Sequence, residues 1–208
     1  MRLGAGRHLV DAVPERVAWY RREVAFGPMY YDNPSPAADV LNASDLAFGT
    51  LLGAWGGRLM RRVEAFKAAA SGGGLQIDDL PDQPLERCSE DQLRAVADGL
   101  CDRANAWDCF GVSTVSKVVH RRRRATVPIL DRQAISGAFM SPSWVPGGPS
   151  QERGPSRAEV FETVAAIAAD LKAADNESSW NRAAAAWPTL TRVELFDVLW
   201  WSIWRGAR

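Results

Sequence analysis

The sequence predicts an all-α fold, a bundle of about eight helices, from two kinds of pattern. Apolar residues recur at helical spacing along most of the 208-residue chain, and the alternation typical of strands is nearly absent. Three capping boxes, each a Ser or Thr followed three residues later by Gln or Glu, mark helix starts at Ser89, Ser156 and Thr191. A hydrophobic content of 47% is sufficient for one globular domain over residues 1–208, either as one lobe or as two lobes that share a core.

The first third of the chain predicts two helices separated by a loop. Residues 13–25 form an amphipathic helix, and residues 27–43 form a proline-marked loop. Ser44 or Asp45 then caps a helix that runs to about residue 70, with an interruption near residues 53–57.

Residues 89–140 form the centre of the predicted domain, and residues 1–70 and 156–208 supply the flanking helices. The Ser89 box opens a helix that ends near Ala106, and a turn at Gly111 leads into a short helix that ends near His120. A further helix of roughly ten residues is expected after Asp131, followed by a loop over residues 141–155. No internal repeat is evident in the sequence.

Composition restricts the classes of function. The 25 basic and 25 acidic side chains cancel, so nucleic-acid binding requires a local basic patch. Cys88, Cys101 and Cys109 lack C-x-x-C spacing, which argues against a disulfide framework and a zinc site, and no Cys follows to hold a four-cysteine iron–sulfur cluster. With neither a signal-peptide core nor a membrane-spanning run, a cytoplasmic protein without membrane contact is expected.

The segment 110–131, FGVSTVSKVVHRRRRATVPILD, carries the chemistry of the sequence. Gly111 is expected to take a positive φ in a tight turn. Ser113 and Thr114 leave N–H groups free in the first turn of the next helix, where an anion is stabilised. His120 and the run Arg121–Arg124 follow, and a dense positive run most often contacts phosphates.

This order of residues resembles the helix-hairpin-helix DNA glycosylase superfamily. In that family a hairpin of the form hxGhGxxTA precedes a segment that ends in P-V-D, and here the two read CFGVSTV and PILD. With Gly111 on the second hairpin glycine, Thr114 falls on the family threonine and Asp131 on the catalytic aspartate. A second resemblance, through SKVVHRR and PILD, is to an actinobacterial family of unassigned function, which implies no activity.

Two departures from the glycosylase pattern refine what the resemblance implies. Cys109 replaces the first hairpin glycine, and Ser113 stands where bifunctional members carry a Schiff-base lysine. The resemblance therefore implies a monofunctional enzyme in which Asp131 stabilises a cation-like sugar. It also implies a monovalent cation at the hairpin as the one candidate cofactor.

The expected DNA contacts come from the hairpin, the helix after it and the basic run. They are Gly111, Val112, Ser113, Thr114, Lys117, His120, Arg121, Arg122, Arg123 and Arg124. A pocket for the flipped base is expected at Tyr30, Tyr31 and Asp32, because polar aromatic residues on loops often contact ligands. Trp201 points away from the core-facing Trp200 on the last helix, which also leaves it available for stacking.

Each assignment has a plainer alternative. Asp131 after a proline segment is also a typical helix N-cap, and a charge run is often solvated or bound to protein. A nucleophilic Lys117 is disfavoured because a helical lysine is usually solvated. The sequence thus favours a monomeric DNA glycosylase that flips and excises a damaged base, or a modified phage base in antiviral defence. A non-catalytic helix-hairpin-helix DNA-binding protein and a helical protein-interaction module are the alternatives.

Overall fold

The computed structural model of the protein describes residues 1–4, 6–52, 59–131 and 154–205. The described residues form a helical bundle, which confirms the all-α prediction. The nine α-helices within them are α1 Val13–Glu23, α2 Gly27–Tyr31, α3 Ala43–Leu51, α4 Leu59–Ser71, α5 Glu90–Ala106, α6 Val112–His120, α7 Arg157–Lys172, α8 Glu177–Ala186 and α9 Arg192–Trp204. The helix expected after Asp131 and most of the loop expected over residues 141–155 lie outside the described residues.

Short elements complete the described fold. Strand β1, Arg2–Leu3, pairs antiparallel with β2, His8–Leu9. Single 3-10 turns occupy Leu85–Arg87 and Ala174–Asn176. Helix α5 packs on α7 and α6, α1 packs on α9 and α8, and α3 packs on α6, so that one continuous apolar core runs through the described helices.

Side-chain caps mark four of the nine described helix starts, three of them as the sequence predicts. The boxes at Ser89, Ser156 and Thr191 all form with both reciprocal hydrogen bonds. The predicted cap of α3 is wrong by two or three residues, because the Asn42 side chain accepts the Ser44 N–H at 2.9 Å instead. The predicted loop over residues 27–43 is also partly wrong, since its first five residues form α2 with a proline in the first turn.

Two helix–turn–helix units, residues 101–120 and 181–200, have the same succession of helix and turn with an offset of eighty residues, although Cys109 has a positive φ and the equivalent Thr189 does not. In each unit the helix stops at a buried tryptophan, Trp107 or Trp187. Three residues later a backbone N–H, of Phe110 or Leu190, bonds back to that tryptophan carbonyl, at 3.1 and 3.2 Å. The side chains of the two units differ at most positions, in keeping with the absence of an evident repeat in the sequence.

The turn before α6 differs in backbone detail from the sequence prediction. Gly111 is extended, with φ −97° and ψ 169°, and the left-handed residue is Cys109, with φ 64°. The conformation that favours glycine therefore occurs where the hairpin pattern has its first glycine and this chain has cysteine. The predicted role of Gly111 as a positive-φ residue is wrong, although its turn does join two helices as expected.

Replacing Gly111 by Ala is expected to change the free energy of unfolding by less than about 0.5 kcal/mol, because an added Cβ would meet no atom within 4 Å. The matched control is Gly49→Ala in α3, where the added Cβ would lie 2.9 Å from Val118 Cγ2 of α6. That overlap is expected to destabilise the fold by about 1–3 kcal/mol, less the gain in helix propensity. Urea denaturation of both variants checks the pair, and a large loss at Gly111 would mean that its turn has another conformation.

Candidate active site

Asp131 reaches the candidate site because the segment before it is fastened along α6. The His120 Nδ1 lies 2.6 Å from the Val127 carbonyl, to which it donates because a carbonyl only accepts. The Leu130 N–H donates to Ser116 Oγ at 3.0 Å. Leu130 is fully buried, and the buried side chain of Asp131 directly after it lines a pocket.

The pocket has a volume of about 540 Å³, within the range of small-molecule sites. Three buried ionisable groups meet in it from different parts of the chain: Lys117 of α6, Asp131, and Asp197 of α9. Most other described lining residues are aromatic or aliphatic, and the principal ones are Trp19, Tyr20, Val24, Phe26, Leu52, Ile129 and Trp201. Two exposed charged residues, Glu23 and Arg205, also line the pocket. A planar ring can stack on such walls while its polar edge meets the charged groups.

Burial alters the acid–base properties of these groups. It lowers the pKa of Lys117, and the nearby Asp131 and Asp197 carboxylates oppose that effect. It raises the pKa of Asp197 to about 7, and the negative charge of Asp131 acts in the same direction. The expectation that Lys117 is a solvated helical lysine is therefore wrong, because its side chain is 7% exposed and faces the pocket.

Tyr30, Tyr31 and Asp32, expected on a loop at the base pocket, occupy other positions. The two tyrosines lie on α2 and are each 1% exposed. The Tyr30 hydroxyl donates to the Lys117 carbonyl at 2.8 Å, and the Tyr31 hydroxyl donates to Asp197 Oδ2. Asp32 accepts the Trp187 Nε1 hydrogen at 2.9 Å. The two tyrosines thus hold Lys117 and Asp197 in position through hydrogen bonds. They do not line the pocket themselves, and other described residues form its walls.

The first three residues of the run Arg121–Arg124 are buried, with exposures of 4, 9 and 3%, and Arg124 is half-buried. Each guanidinium has its own acceptor: the Tyr30 carbonyl for Arg121, the Asp45 carboxylate for Arg122, the Asp39 carboxylate for Arg123 and the Glu194 carboxylate for Arg124. The expectation of an accessible basic patch therefore does not hold, because the turn after α6 directs these side chains into the protein. His120 is likewise 1% exposed, and its Nε2 lies 3.5 Å from Glu194 Oε1.

The hairpin itself remains at the surface. Gly111 is exposed and Ser113 half-buried, whereas Val112 and Thr114 pack inward. No side-chain hydrogen bond caps α6. The Thr114 N–H donates to the Gly111 carbonyl at 2.9 Å, so the expectation of a free N–H at Thr114 is wrong. The Cys109 carbonyl accepts a hydrogen bond from Arg62 Nε of α4 at 3.3 Å, so a guanidinium provides positive charge where the resemblance implied a cation.

Asp197, Tyr20, Trp19 and the pocket-facing role of Trp201 complete the site beyond the sequence-based assignment. A signal for Asp197 was present, because it is a carboxylate inside the apolar stretch FDVLWW, where a charged residue is rarely placed without a role. Lys117 and Asp197 also occupy the same position in the two helix–turn–helix units, and both line the pocket.

Comparison with known proteins finds no matching protein family, no curated protein of significant sequence similarity and no solved structure with a matching fold. Within the described ranges, no group of three or more His, Cys, Asp or Glu side chains is placed to hold a metal ion. Those ranges also contain no helix of the length and hydrophobicity needed to cross a membrane. The pocket is therefore the feature from which a function can be inferred.

Arg122→Ala is expected to destabilise the protein by about 3–5 kcal/mol, because it leaves the Asp45 carboxylate, 0% exposed, without its buried cation. The matched control, Arg22→Ala on the exposed face of α1, is expected to change stability by less than about 0.5 kcal/mol. Urea denaturation measures both. Equal stabilities would mean that the arginine run is accessible after all.

Asp197 is expected to make the protein less stable as the pH rises from 3.8 to about 7. In this window the folded state retains a proton that the unfolded chain has released, so stability falls by up to about 1.4 kcal/mol per pH unit. Asp197→Asn removes the titration, and its stability relative to the wild type should increase through the same window. Thermal melting across this pH range tests the sign, and parallel curves for the two proteins would contradict it.

Proposed function

We propose that this protein is a monofunctional DNA glycosylase, in which an extrahelical base enters the pocket and Asp131 assists cleavage of its N-glycosidic bond. One observation carries the proposal. The residue that the hairpin resemblance marks as catalytic lies in an aromatic-walled pocket with a second carboxyl group and a lysine. A capping aspartate needs no pocket, whereas a base-excising enzyme requires one next to its carboxylate.

The chemistry of the pocket fits this reaction. Cleavage of an N-glycosidic bond gives the sugar the character of an oxocarbenium ion, and a carboxylate fixed in a partly dry site stabilises that charge strongly. Asp131 is 3% exposed, so little water screens it. Trp19 and Trp201 are half-buried and offer surfaces on which a base can stack. Addition of water to the sugar then leaves an abasic site in an uncleaved strand.

Contact with duplex DNA is assigned in this proposal to the hairpin. The start of α6 has no side-chain cap and carries the positive end of the helix dipole, which suits a phosphate, although the Thr114 N–H is already bonded to the Gly111 carbonyl. Lys117 lies five residues further along the same helix, roughly 8 Å along its axis, so one short element connects the phosphate contact to the pocket. Because the arginine run is buried, Arg121–Arg124 are not part of the proposed DNA surface.

The class of substrate in this proposal is a damaged base, or a modified base of the kind found in phage DNA. The runner-up, a non-catalytic helix-hairpin-helix protein, is favoured by the exposed and uncapped hairpin but gives no reason for the pocket. The two differ in whether a base is released. We therefore propose testing a panel of duplexes, each with one deaminated, oxidised, alkylated or phage-type base, followed by alkaline cleavage at abasic sites.

Asp131→Asn is expected to reduce base release on the active duplex by at least about a hundredfold, because a few kcal/mol of charge stabilisation disappear from the transition state. Binding to DNA and the melting temperature should change little, since the amide retains the shape and hydrogen-bonding reach of the acid. The measurement is a single-turnover assay with thermal melting in parallel. Asp82→Asn, the same change on an exposed surface residue, serves as the control.

Two outcomes would contradict the proposal. Full activity of the Asn variant with an unchanged melt would reduce Asp131 to a capping residue, and absence of base release from every duplex with retained DNA binding would favour the runner-up. Borohydride added during turnover is expected to trap no protein–DNA adduct, because hydrolysis forms no Schiff base. An adduct that Lys117→Met abolishes would instead assign a nucleophilic lysine.

A further inference from the structure

Asp197 is the second buried carboxyl group of the pocket, and the proposed reaction assigns it no role. It lies on α9, is 4% exposed, and shares the pocket with Asp131. The Tyr31 hydroxyl donates to its Oδ2, so one of its oxygens is held from behind by α2. The carboxyl group is therefore held in position by α2, and it lines the pocket that a ligand can enter.

Two buried carboxyl groups in one small site do not both ionise readily, because their charges repel and neither is well hydrated. The charged and titratable groups around Asp197 include Asp131, Lys117 of α6, Tyr31 of α2, Tyr20 of α1 and Glu194 one turn earlier on α9. The exposed Glu23 of α1 and Arg205 after α9 also line its pocket. Burial, Asp131 and Glu194 raise the pKa of Asp197, and the Tyr31 hydrogen bond and Lys117 oppose this, with a result of about 7. At neutral pH a substantial fraction of Asp197 thus carries a proton.

We propose that Asp197 is the general acid that protonates the departing base, opposite Asp131, which stabilises the sugar. This inference rests on the proposed glycosylase function and adds a second catalytic residue to it. As the C1′–N bond breaks, its electron pair goes to the base, and the Asp197 proton moves to a ring nitrogen or exocyclic oxygen of that base. Water then bonds to C1′, and the proton that it loses returns to the carboxylate pair, which restores the starting state.

The acid is needed for some bases and not for others. A neutral purine would leave as an anion, which is a poor leaving group, so protonation by a positioned acid accelerates its departure by about a hundredfold or more. A base alkylated on a ring nitrogen is already cationic and leaves as a neutral molecule without a proton. A general acid therefore separates the two substrates, whereas a residue that only shapes the pocket affects both equally.

The experiment compares release of hypoxanthine, a neutral base, and of 7-methylguanine, a cationic base, from otherwise identical duplexes under single turnover. For Asp197→Asn we expect a loss of about a hundredfold or more on hypoxanthine and less than about threefold on 7-methylguanine. Asp82→Asn should match the wild type on both, and Asp131→Asn should lose both. Equal losses for Asp197→Asn on the two bases, or release of 7-methylguanine alone by the wild type, would overturn the assignment.

The pH dependence provides a second readout that keeps Asp197 in place. Wild-type hypoxanthine release should fall as the pH rises above about 7, when Asp197 loses its proton. In Tyr31→Phe that alkaline limb should shift to higher pH, because the tyrosine hydrogen bond favours the ionised carboxylate. A limb that stays in place, or moves to lower pH, would contradict the role of Asp197.

Infrared spectroscopy tests the proton itself without a substrate. At pH 6 the wild type should show a protonated-carboxyl C=O band that Asp197→Asn lacks, and absence of that difference overturns the proposal whatever the enzyme does to DNA. If the band is present and no duplex of the whole substrate panel releases a base, the glycosylase function fails, and the catalytic role of Asp197 fails with it.

Discussion

Four consecutive arginines after α6, three of them buried and the fourth half-buried, connect the N-terminal part of the chain to its last described helix. A buried cation without a partner costs several kcal/mol, so each arginine requires its acceptor in place. Those acceptors lie on α2, on the segment before α3, on α3 and on α9, and the run therefore arranges these elements around the end of α6. Residues with the composition of a nucleic-acid contact thus act as a structural centre, because the surrounding chain provides acceptors for all of their charges.

The pocket depends on this arrangement through α2. Arg121 holds the backbone of α2 through the Tyr30 carbonyl, and the two tyrosine hydroxyls of α2 contact the Lys117 backbone and the Asp197 carboxyl group. The ionisable groups of the site are therefore positioned by a layer of aromatic residues that is itself held by the arginine run. Fixed supporting groups of this kind keep reacting side chains in a narrow range of geometry, on which the proposed chemistry depends.

Placing Lys117, Asp131 and Asp197 together in one buried site opposes stability, because each loses hydration and the two acids repel each other. A protein retains such a cluster most often where function requires it, so the cluster supports a functional site more strongly than any single residue in it. The two helix–turn–helix units account for the positions of two of these three residues. Equivalent positions of the units bring a lysine and an aspartate to the same pocket, and the segment anchored along α6 adds the second aspartate.

The sequence alone determined the helical class, three of the helix starts and the turn at Gly111. Capping boxes and helical periodicity depend on residues within one or two turns of each other, so they can be read without the fold. Tertiary structure decided the burial and the hydrogen-bond partners of the polar residues. Arg121 and Arg122 meet acceptors 91 and 77 residues away, and the Tyr31 hydroxyl meets Asp197 across 166 residues. These distant partners and the exclusion of water decide whether a polar side chain is solvated, forms a buried hydrogen bond or ion pair, or can react with a ligand. A local sequence pattern encodes neither of these two factors.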